Sequence, residues 1–328
     1  MATRNRYLFA TALVLLAAGC EKVEPAVSPT EIKILFTATA SPVLPPTVTK
    51  VPTGSAPQTS PPVLSGPYLG ETLPDAEPKV FGHGLLKGGY HSSPSFMPDG
   101  SEVFWGGSFG SAKIYFMKLI DGHWTSQEAL QLLGMVTLRD PFVSPDGKTL
   151  FFLSKDPLPG PSTSSNENIW MVAKDDDHWG TPQPLPDSIN NLNLHWTVSV
   201  AKNGNLYFSS GGDGIGDIFL SAYVNGEYTP PSLLESPVNT PDQIEVTPNI
   251  APDESYLLFS RMPDSNSTPR LYISYSTQGG WTEPRLIENV SSCISPIITP
   301  DRKYVFCLAG PISLIWRDTS FIDELRPQ

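Results

Sequence analysis

The sequence predicts an all-β chain, a β-propeller built from four-stranded antiparallel blades. Two observations predict it. A hairpin signature recurs about every 50 residues, and a second strand-like motif follows each copy. Repeats of this length made of short strands are typical of propellers, because a single blade cannot bury both of its faces and has to stack on its neighbours around an axis.

Each repeat opens with a short strand, a tight turn and an aromatic-rich second strand. In the first copy the turn is Pro98-Asp99-Gly100. Pro presets φ at the first corner, Asp or Asn bonds to the local backbone, and Gly accepts positive φ. The turn residues are Asp99, Asp146, Asn203, Asp253 and Asp301. Five positions after them stand Phe104, Phe151, Phe208, Leu258 and Phe306, which we expect to form one column that packs between blades.

A third and a fourth strand follow each hairpin, as in Ile169-Trp170-Met171-Val172 and in residues 281–287. The last repeat has only a weak fourth strand, at residues 321–325, whereas residues 77–81 carry the fourth-strand pattern ahead of the first repeat. We expect this N-terminal strand to complete the last blade, because closure removes two open sheet edges. The count is five blades, and a sixth, degenerate blade made from both ends is the alternative.

The N-terminus is typical of an exported lipoprotein. Arg4 and Arg6 precede a short apolar run, and residues 1–19 therefore read as a signal peptide. Leu16-Ala17-Ala18-Gly19-Cys20 resembles a bacterial lipobox, which implies cleavage before Cys20 and lipidation of its thiol. Ordinary secretion with an incidental cysteine is the alternative. The predicted location is the bacterial cell envelope, outside the cytoplasm and anchored to a membrane.

The rest of the chain divides into a tether and a folded head. Residues 20–75 contain 11 prolines with many Ser and Thr, a composition that predicts a disordered tether. Residues 76–328 hold the repeats. The formal net charge is −12, from 21 basic and 33 acidic residues, and such an excess of negative charge argues against nucleic acid as a partner.

Two further cysteines, Cys293 and Cys307, lie on the two strands of the fifth hairpin. If the turn centres on Pro300 they face each other closely enough for a disulfide, which an exported protein permits. A register shifted by one residue would prevent the bond, so two buried thiols are the alternative.

Propellers usually bind ligands where loops enter the innermost strands around the central channel. Six side chains from four repeats form this candidate rim: His91, Arg139, Asp140, His195, Trp196 and Glu245. Polar groups and one Trp in a concave mouth indicate a binding site, and solvated loop ends with no common partner are the alternative. Asp140 and Glu245 also suggest a carboxylate pair, which in an inverting glycoside hydrolase is about 6.5–9.5 Å apart.

Neither a metal nor a cofactor is expected. Asp213 and Asp217 flank a glycine-rich loop, and residues 175–177 form an acidic tip, but both lack the longer spaced set of oxygens that calcium needs. The string Gly106-Gly107-Ser108-Phe109-Gly110 leads into a strand and not into a helix, so it is not expected to hold a nucleophile.

The Pro-Asp hairpins, followed by Ile-Tyr and Trp-x-x-Pro strands, resemble the WD40-like repeats of Pro-Asp type (PD40) in the TolB-like superfamily. The resemblance covers residues 76–328, and repeat three departs from it with Lys202-Asn203. It implies an extracytoplasmic propeller that binds or docks a partner. The sequence therefore favours a lipid-anchored module for a protein, peptide or glycan, without catalysis. The alternative is a glycoside hydrolase that uses Asp140 and Glu245.

Overall fold

The computed structural model describes residues 64–82, 89–108, 110–160, 167–192, 194–212, 215–310 and 313–328. For residues 194–196, 212 and 215 only the backbone is described. The predicted signal peptide, Cys20 and most of the predicted tether lie outside these ranges.

The described residues form a five-bladed β-propeller, which confirms the predicted fold class and the count of five. Each blade is an antiparallel sheet of four strands, and the strands follow one another from the axis outwards in the order given below. Blade 1 contains Ser95–Phe96, Glu102–Gly106, Ile114–Ile120 and Glu128–Ala129. Blade 2 contains Arg139–Val143, Thr149–Ser154, Asn168–Asp175 and Gln183–Pro184. Blade 3 contains Leu194–Val200, Leu206–Gly212, Ile215–Ser221 and Ser232–Leu233.

Blade 4 contains Ile244–Ile250, Tyr256–Met262, Arg270–Thr277 and Arg285–Leu286. Blade 5 contains Ile294–Ile298, Tyr304–Leu308, Leu314–Asp318 and, from the N-terminus, Lys79–Val80. Short two-residue strands extend the outer hairpins: His123–Trp124, His178–Trp179, Tyr223–Val224, Glu227–Tyr228 and Gly280–Trp281. The helical segments among the described residues are the 3-10 turn Pro67–Gly70 and the single-turn helices Asp187–Asn190 and Phe321–Glu324.

The predicted closure by an N-terminal strand is present. Lys79 pairs with Trp316 and Val80 with Ile315, so the first strand in the described part of the chain is the fourth strand of the last blade. Phe81 continues the contact, since its N–H donates to the carbonyl of Leu314 and its buried ring lies 5.0 Å from that of Trp316. The weak strand expected at residues 321–325 is wrong: this segment is the helix Phe321–Glu324, whose Phe321 and Ile322 are buried.

The aromatic column predicted on the second strands packs between blades as expected in four of the five repeats. Phe104, for example, packs in the core between blades 1 and 2 together with Leu150 and Trp170. In blade 3 the prediction is wrong by one residue: Tyr207 occupies the column position and Phe208 faces blade 2. The hairpin of blade 3 is one residue shorter, and a shift of one residue turns each side chain to the opposite face of a strand.

The pairing of the first two strands shows directly that the hairpin of blade 3 is shorter. In blade 2 Phe142 pairs with Phe151, whereas in blade 3 the equivalent Ser199 pairs with Tyr207. The turn of blade 3 closes with the N–H of Ala201 donating to the carbonyl of Asn205. The third hairpin therefore differs from the other four in length as well as in its Lys-Asn sequence.

Side chains on the innermost strands link the blades around the axis. The Ser95 hydroxyl accepts from the N–H of Val143 in the next blade at 2.9 Å. Ser199 accepts in the same way from Ile250 at 3.0 Å, and the Asn249 carbonyl oxygen accepts from the N–H of Ile298 at 3.2 Å. Because these bonds satisfy buried backbone donors, they fix the positions of neighbouring blades relative to one another.

Candidate functional site

The propeller axis has two ends, which we name by the chain segments that surround them. The loop end is where the first strand of each blade begins, and it carries the predicted rim. The turn end is where the hairpins between the first and second strands lie, at the turn residues Asp99, Asp146, Asn203, Asp253 and Asp301. At the loop end two of the predicted rim side chains form a buried pair, whereas at the turn end side chains line a cavity.

At the loop end His91 and Asp140 contact each other across blades 1 and 2. The Nδ1 of His91 lies 2.6 Å from Oδ1 of Asp140, and the two residues are 8% and 0% exposed. Burial of the ring acts to lower the pKa of His91, but the hydrogen bond and charge of Asp140 outweigh it, so that the pKa is raised. The pair is thus a buried link between blades.

Arg139, His195 and Trp196 are the other predicted rim residues of blades 2 and 3. The Nε of Arg139 lies 3.6 Å from Oε1 of Glu167. His195 and Trp196 lie in the first strand of blade 3, and their side chains are outside the described part of the structure. Among the rim side chains that the structure describes, His91 and Asp140 contact each other.

Glu245 is fully buried and is held within its own blade. Its Oε1 lies 2.9 Å from Nε of Arg261 and accepts from the Thr240 hydroxyl at 2.8 Å. Burial raises the pKa of Glu245, against the opposing effects of Thr240 and Arg261. Since Asp140 is held by His91 and Glu245 by Arg261, each carboxylate of the predicted catalytic pair already has its own partner, and both are shielded from solvent.

The turn end holds an axial cavity of about 360 Å³ to which all five blades contribute. Pro98, Pro145, Pro252 and Pro300, the prolines of four turns, surround it. Aliphatic side chains of the innermost strands, among them Val143 and Ile250, line its wall. A volume of this size is within the range of ligand pockets, and a mostly apolar lining is typical of them.

A second cavity, of about 400 Å³, lies between blades 2 and 3 at the same end. It shares Ser144, Pro145, Val200 and Lys202 with the axial cavity, so the two form one continuous surface from the axis outwards. We call this continuous surface the turn-end groove. Sequence reasoning placed the site at the opposite end and missed this groove. The one signal for it was the departure of repeat three, because Lys202 stands where the other turns have Pro.

Two predictions concern the cysteines, a disulfide between Cys293 and Cys307 and lipidation of Cys20, and the structure describes only the first pair. Cys293 and Cys307 are joined by a disulfide, with their Cα atoms 5.0 Å apart. They are not directly opposite: the register pairs Ile294 with Leu308, and a bulge follows before Ile297 pairs with Phe306. The lipidation of Cys20 stays a prediction, since that residue lies outside the described ranges.

Two kinds of feature are absent from the residues that the structure describes. None of the helices there has the length and apolar character that a membrane span requires. No group of three or more His, Cys, Asp or Glu side chains in the same residues is arranged to hold a metal ion.

No family model matches the chain, and no curated protein matches it. Similar solved structures include a putative TolB from Agrobacterium tumefaciens, 15% identical, with a TM-score of 0.46 over 66% of this chain and 68% of that one. TolB from Acinetobacter baumannii is 16% identical, with a TM-score of 0.43 over 70% of this chain and 54% of that one. XC5397 from Xanthomonas campestris, a gluconolactonase, is 11% identical, with a TM-score of 0.45 over 79% of this chain and 98% of that one.

Two of these structures are TolB propellers, the superfamily that the repeats resemble. The chain spans about half of the length of the Acinetobacter protein. Identities and TM-scores this low carry no argument about activity, substrate or partner. The fold shows the class of structure, a five-bladed β-propeller, and any assignment of function depends on the site itself.

Proposed function

We propose that this chain is a non-catalytic binding module of the bacterial cell envelope that engages a partner protein through a peptide segment bound in the turn-end groove. One observation carries the proposal, namely the axial cavity of about 360 Å³ to which every blade contributes side chains. A cavity on the axis of a closed ring is held by all blades at once, so its shape is maintained without a ligand.

The polar side chains of the cavity favour a peptide over a glycan. The Ser95 hydroxyl accepts from Val143, Ser144 donates to Asp146, and Thr299 donates to Asp301. The Asn249 amide oxygen accepts from Ile298. Because these groups already bond within the fold, they have limited capacity for the many hydroxyls of a sugar. Proline rings and aliphatic side chains, by contrast, offer contact area to apolar side chains of a peptide.

The geometry disfavours the glycoside hydrolase alternative. An inverting hydrolase needs two carboxyl groups that reach the same sugar, one of them as acid and one as base. Here Asp140 and Glu245 are both 0% exposed, and their nearest charged partners are His91 and Arg261. Neither carboxylate lines the cavities at the turn end. Recognition without chemistry is the function that the described residues support best.

The proposed location rests on the sequence. A lipobox at residues 16–20 and a proline-rich segment up to residue 75 would hold the propeller outside the cytoplasm on a membrane anchor. Replacement Cys20→Ala is expected to release the protein from the membrane fraction into the soluble fraction. Retention of the Cys20→Ala protein in the membrane fraction would contradict the anchor and leave the groove proposal unaffected.

The groove itself is tested by selection of a displayed random 12-residue peptide library on the full-length protein. Pro98→Trp places a large side chain at the lip of the axial cavity, and Lys148→Trp places the same side chain on an exposed neighbouring site outside both cavities. We expect selected peptides to lose at least about tenfold in affinity with Pro98→Trp and to keep it with Lys148→Trp. Peptides that bind both variants like the wild type would contradict the proposal.

A further inference from the structure

Among the residues that the structure describes, the groove contains one cation, Lys202, whose charge the fold leaves unmatched. We propose that Lys202 binds an Asp or Glu side chain of an extended partner peptide, and that this contact selects acidic segments flanked by apolar residues. The inference rests on the proposed function, since it specifies the ligand of the same groove. It is supported by the position of Lys202, the rigidity of its turn, the charges around it and the continuity of the groove.

Lys202 lies at the junction of the two cavities. It lines both the axial cavity and the cavity between blades 2 and 3, together with Ser144, Pro145 and Val200. In the other four repeats the equivalent residue is a proline, which has no charge to present. The substitution in repeat three therefore places an ammonium group at the centre of a surface that is otherwise largely apolar.

The backbone around Lys202 is fixed by bonds to blade 4. The Lys202 N–H donates to the carbonyl of Pro252 at 2.8 Å. The carboxylate of Glu254 accepts from the side-chain amides of Asn203 and Asn205, at 2.7 and 2.9 Å, and from the Tyr207 hydroxyl at 2.7 Å. A turn held at so many points presents its lysine from a defined position, which lowers the entropy that a ligand has to overcome.

The glycine of the same turn has a steric role. Gly204 has φ of +92°, and a Cβ at this position would lie 2.7 Å from Cδ1 of Tyr223. Only glycine combines this backbone conformation with such close approach. The short hairpin therefore packs directly against Tyr223, at the outer part of the groove, and brings Lys202 and the Tyr223 ring onto one surface.

The other charged side chains of the groove already have partners in the fold, Arg302 in an ion pair and Asp146 in hydrogen bonds. Arg302 lies 3.4 Å from Asp253 and over the ring of Tyr256, and Asp146 accepts from Ser144 and from the N–H of Lys148. Lys202 is exposed, and its ammonium makes no hydrogen bond or ion pair with any residue that the structure describes. Charge complementarity thus calls for a carboxylate on the ligand, and a charged hydrogen bond is stronger than a neutral one.

The groove continues on both sides of Lys202, and this determines the source of the carboxylate. On one side lies the axial cavity, and on the other the groove reaches Tyr223 and Tyr228, whose ring centroids are 4.9 Å apart. A bound chain that fills both parts passes Lys202 and does not end there. The carboxylate therefore belongs to an Asp or Glu side chain within the peptide, with apolar side chains on either side.

A double-mutant cycle tests the inference with peptides selected on the wild-type, full-length protein. Each selected 12-residue peptide is synthesised with its acidic residue and with the matching amide, Asp→Asn or Glu→Gln. Both forms are titrated against the wild type, Lys202→Met and the matched control Lys148→Met. We expect Lys202→Met to weaken the acidic peptide about tenfold and to leave the amide peptide unchanged, and Lys148→Met to change neither.

The outcomes separate this inference from the proposed function. Peptides that lose affinity with Pro98→Trp but bind Lys202→Met like the wild type would contradict the role of Lys202 and leave the groove as a binding site. Equal losses for the acidic and the amide peptide would also contradict it, since the lysine would then act by packing. Recovery of no peptide, or binding of an oligogalacturonate probe alone, would contradict both proposals.

Discussion

The hydroxyl of Ser199 in blade 3 accepts a hydrogen bond of 3.0 Å from the N–H of Ile250 in blade 4. Both residues are buried, so this backbone donor has no access to water. Ser199→Ala leaves the donor without a partner, and we expect the free energy of unfolding to fall by about 1–3 kcal/mol. Urea titration measures the change, with the exposed Ser126→Ala as control. Equal stability of the two variants would show that the inter-blade bond is not needed.

Closure of the ring depends on the N-terminal strand, and Phe81 is its buried anchor. Its ring contacts Phe306 and Trp316 at centroid distances of 4.8 and 5.0 Å. Phe81→Ala removes this packing and is expected to lower the free energy of unfolding by about 3–5 kcal/mol. The neighbouring Val80 is 50% exposed, and Val80→Ala should have a much smaller effect. If the two variants unfold alike, the strand does not close the last blade.

The His91–Asp140 contact makes stability depend on pH. Because the pKa of His91 in the folded protein is raised above that of the unfolded chain, protonation favours the folded state. The contribution is fully present below a pH of about 6.5 and is lost as the pH rises through the raised pKa. We expect urea midpoints to decline over that interval in the wild type and less steeply in His91→Gln. The exposed His178→Gln should follow the wild type, and a wild-type profile that rises there would refute the assignment.

The disulfide closes a loop with a sequence separation of 14 residues in the last blade. A cross-link over a loop of this length stabilises a fold by about 3 kcal/mol, chiefly by restricting the unfolded chain. The double variant Cys293→Ala/Cys307→Ala should therefore unfold at lower urea concentration than the oxidised wild type. Dithiothreitol should destabilise the wild type and leave the variant unchanged, whereas a variant as stable as the oxidised wild type would contradict a structural role for the bond.

Local sequence patterns were sufficient to predict the blades, because the formation of strands and turns depends on residues that are neighbours in the sequence. Turn glycines at 100 and 147 adopt positive φ as expected, and Asp99 bonds to the N–H of Ser101. The shorter third hairpin had a visible signal: Leu206 follows Asn203 by three residues, while Leu150 follows Asp146 by four. The column was predicted at a fixed distance of five residues after the turn residue. Because the third hairpin is one residue shorter, this rule selects Phe208 in place of Tyr207.

The partners of the predicted rim residues were not predicted from the sequence, for a physical reason. The position of a rim residue in its repeat indicates which end of the axis it is near, but not which side chain neutralises it. Glu245 pairs with Arg261 on the adjacent strand, and Asp140 pairs with His91 from another blade. Such pairings depend on the register within a blade and the rotation between blades. For the same reason the unmatched Lys202 was evident only once its neighbours were known.

Site-specific photocrosslinking tests most directly which end of the propeller binds the partner. Benzoylphenylalanine is introduced at Pro145, which lines both cavities of the turn-end groove, or at Leu133, which is 77% exposed beyond the fourth strand of blade 1 at the loop end. Cells expressing each full-length variant are irradiated, and covalent adducts are resolved by mass. Our account predicts a discrete adduct from Pro145 that Pro98→Trp abolishes, and none from Leu133. An adduct from Leu133 alone would contradict it.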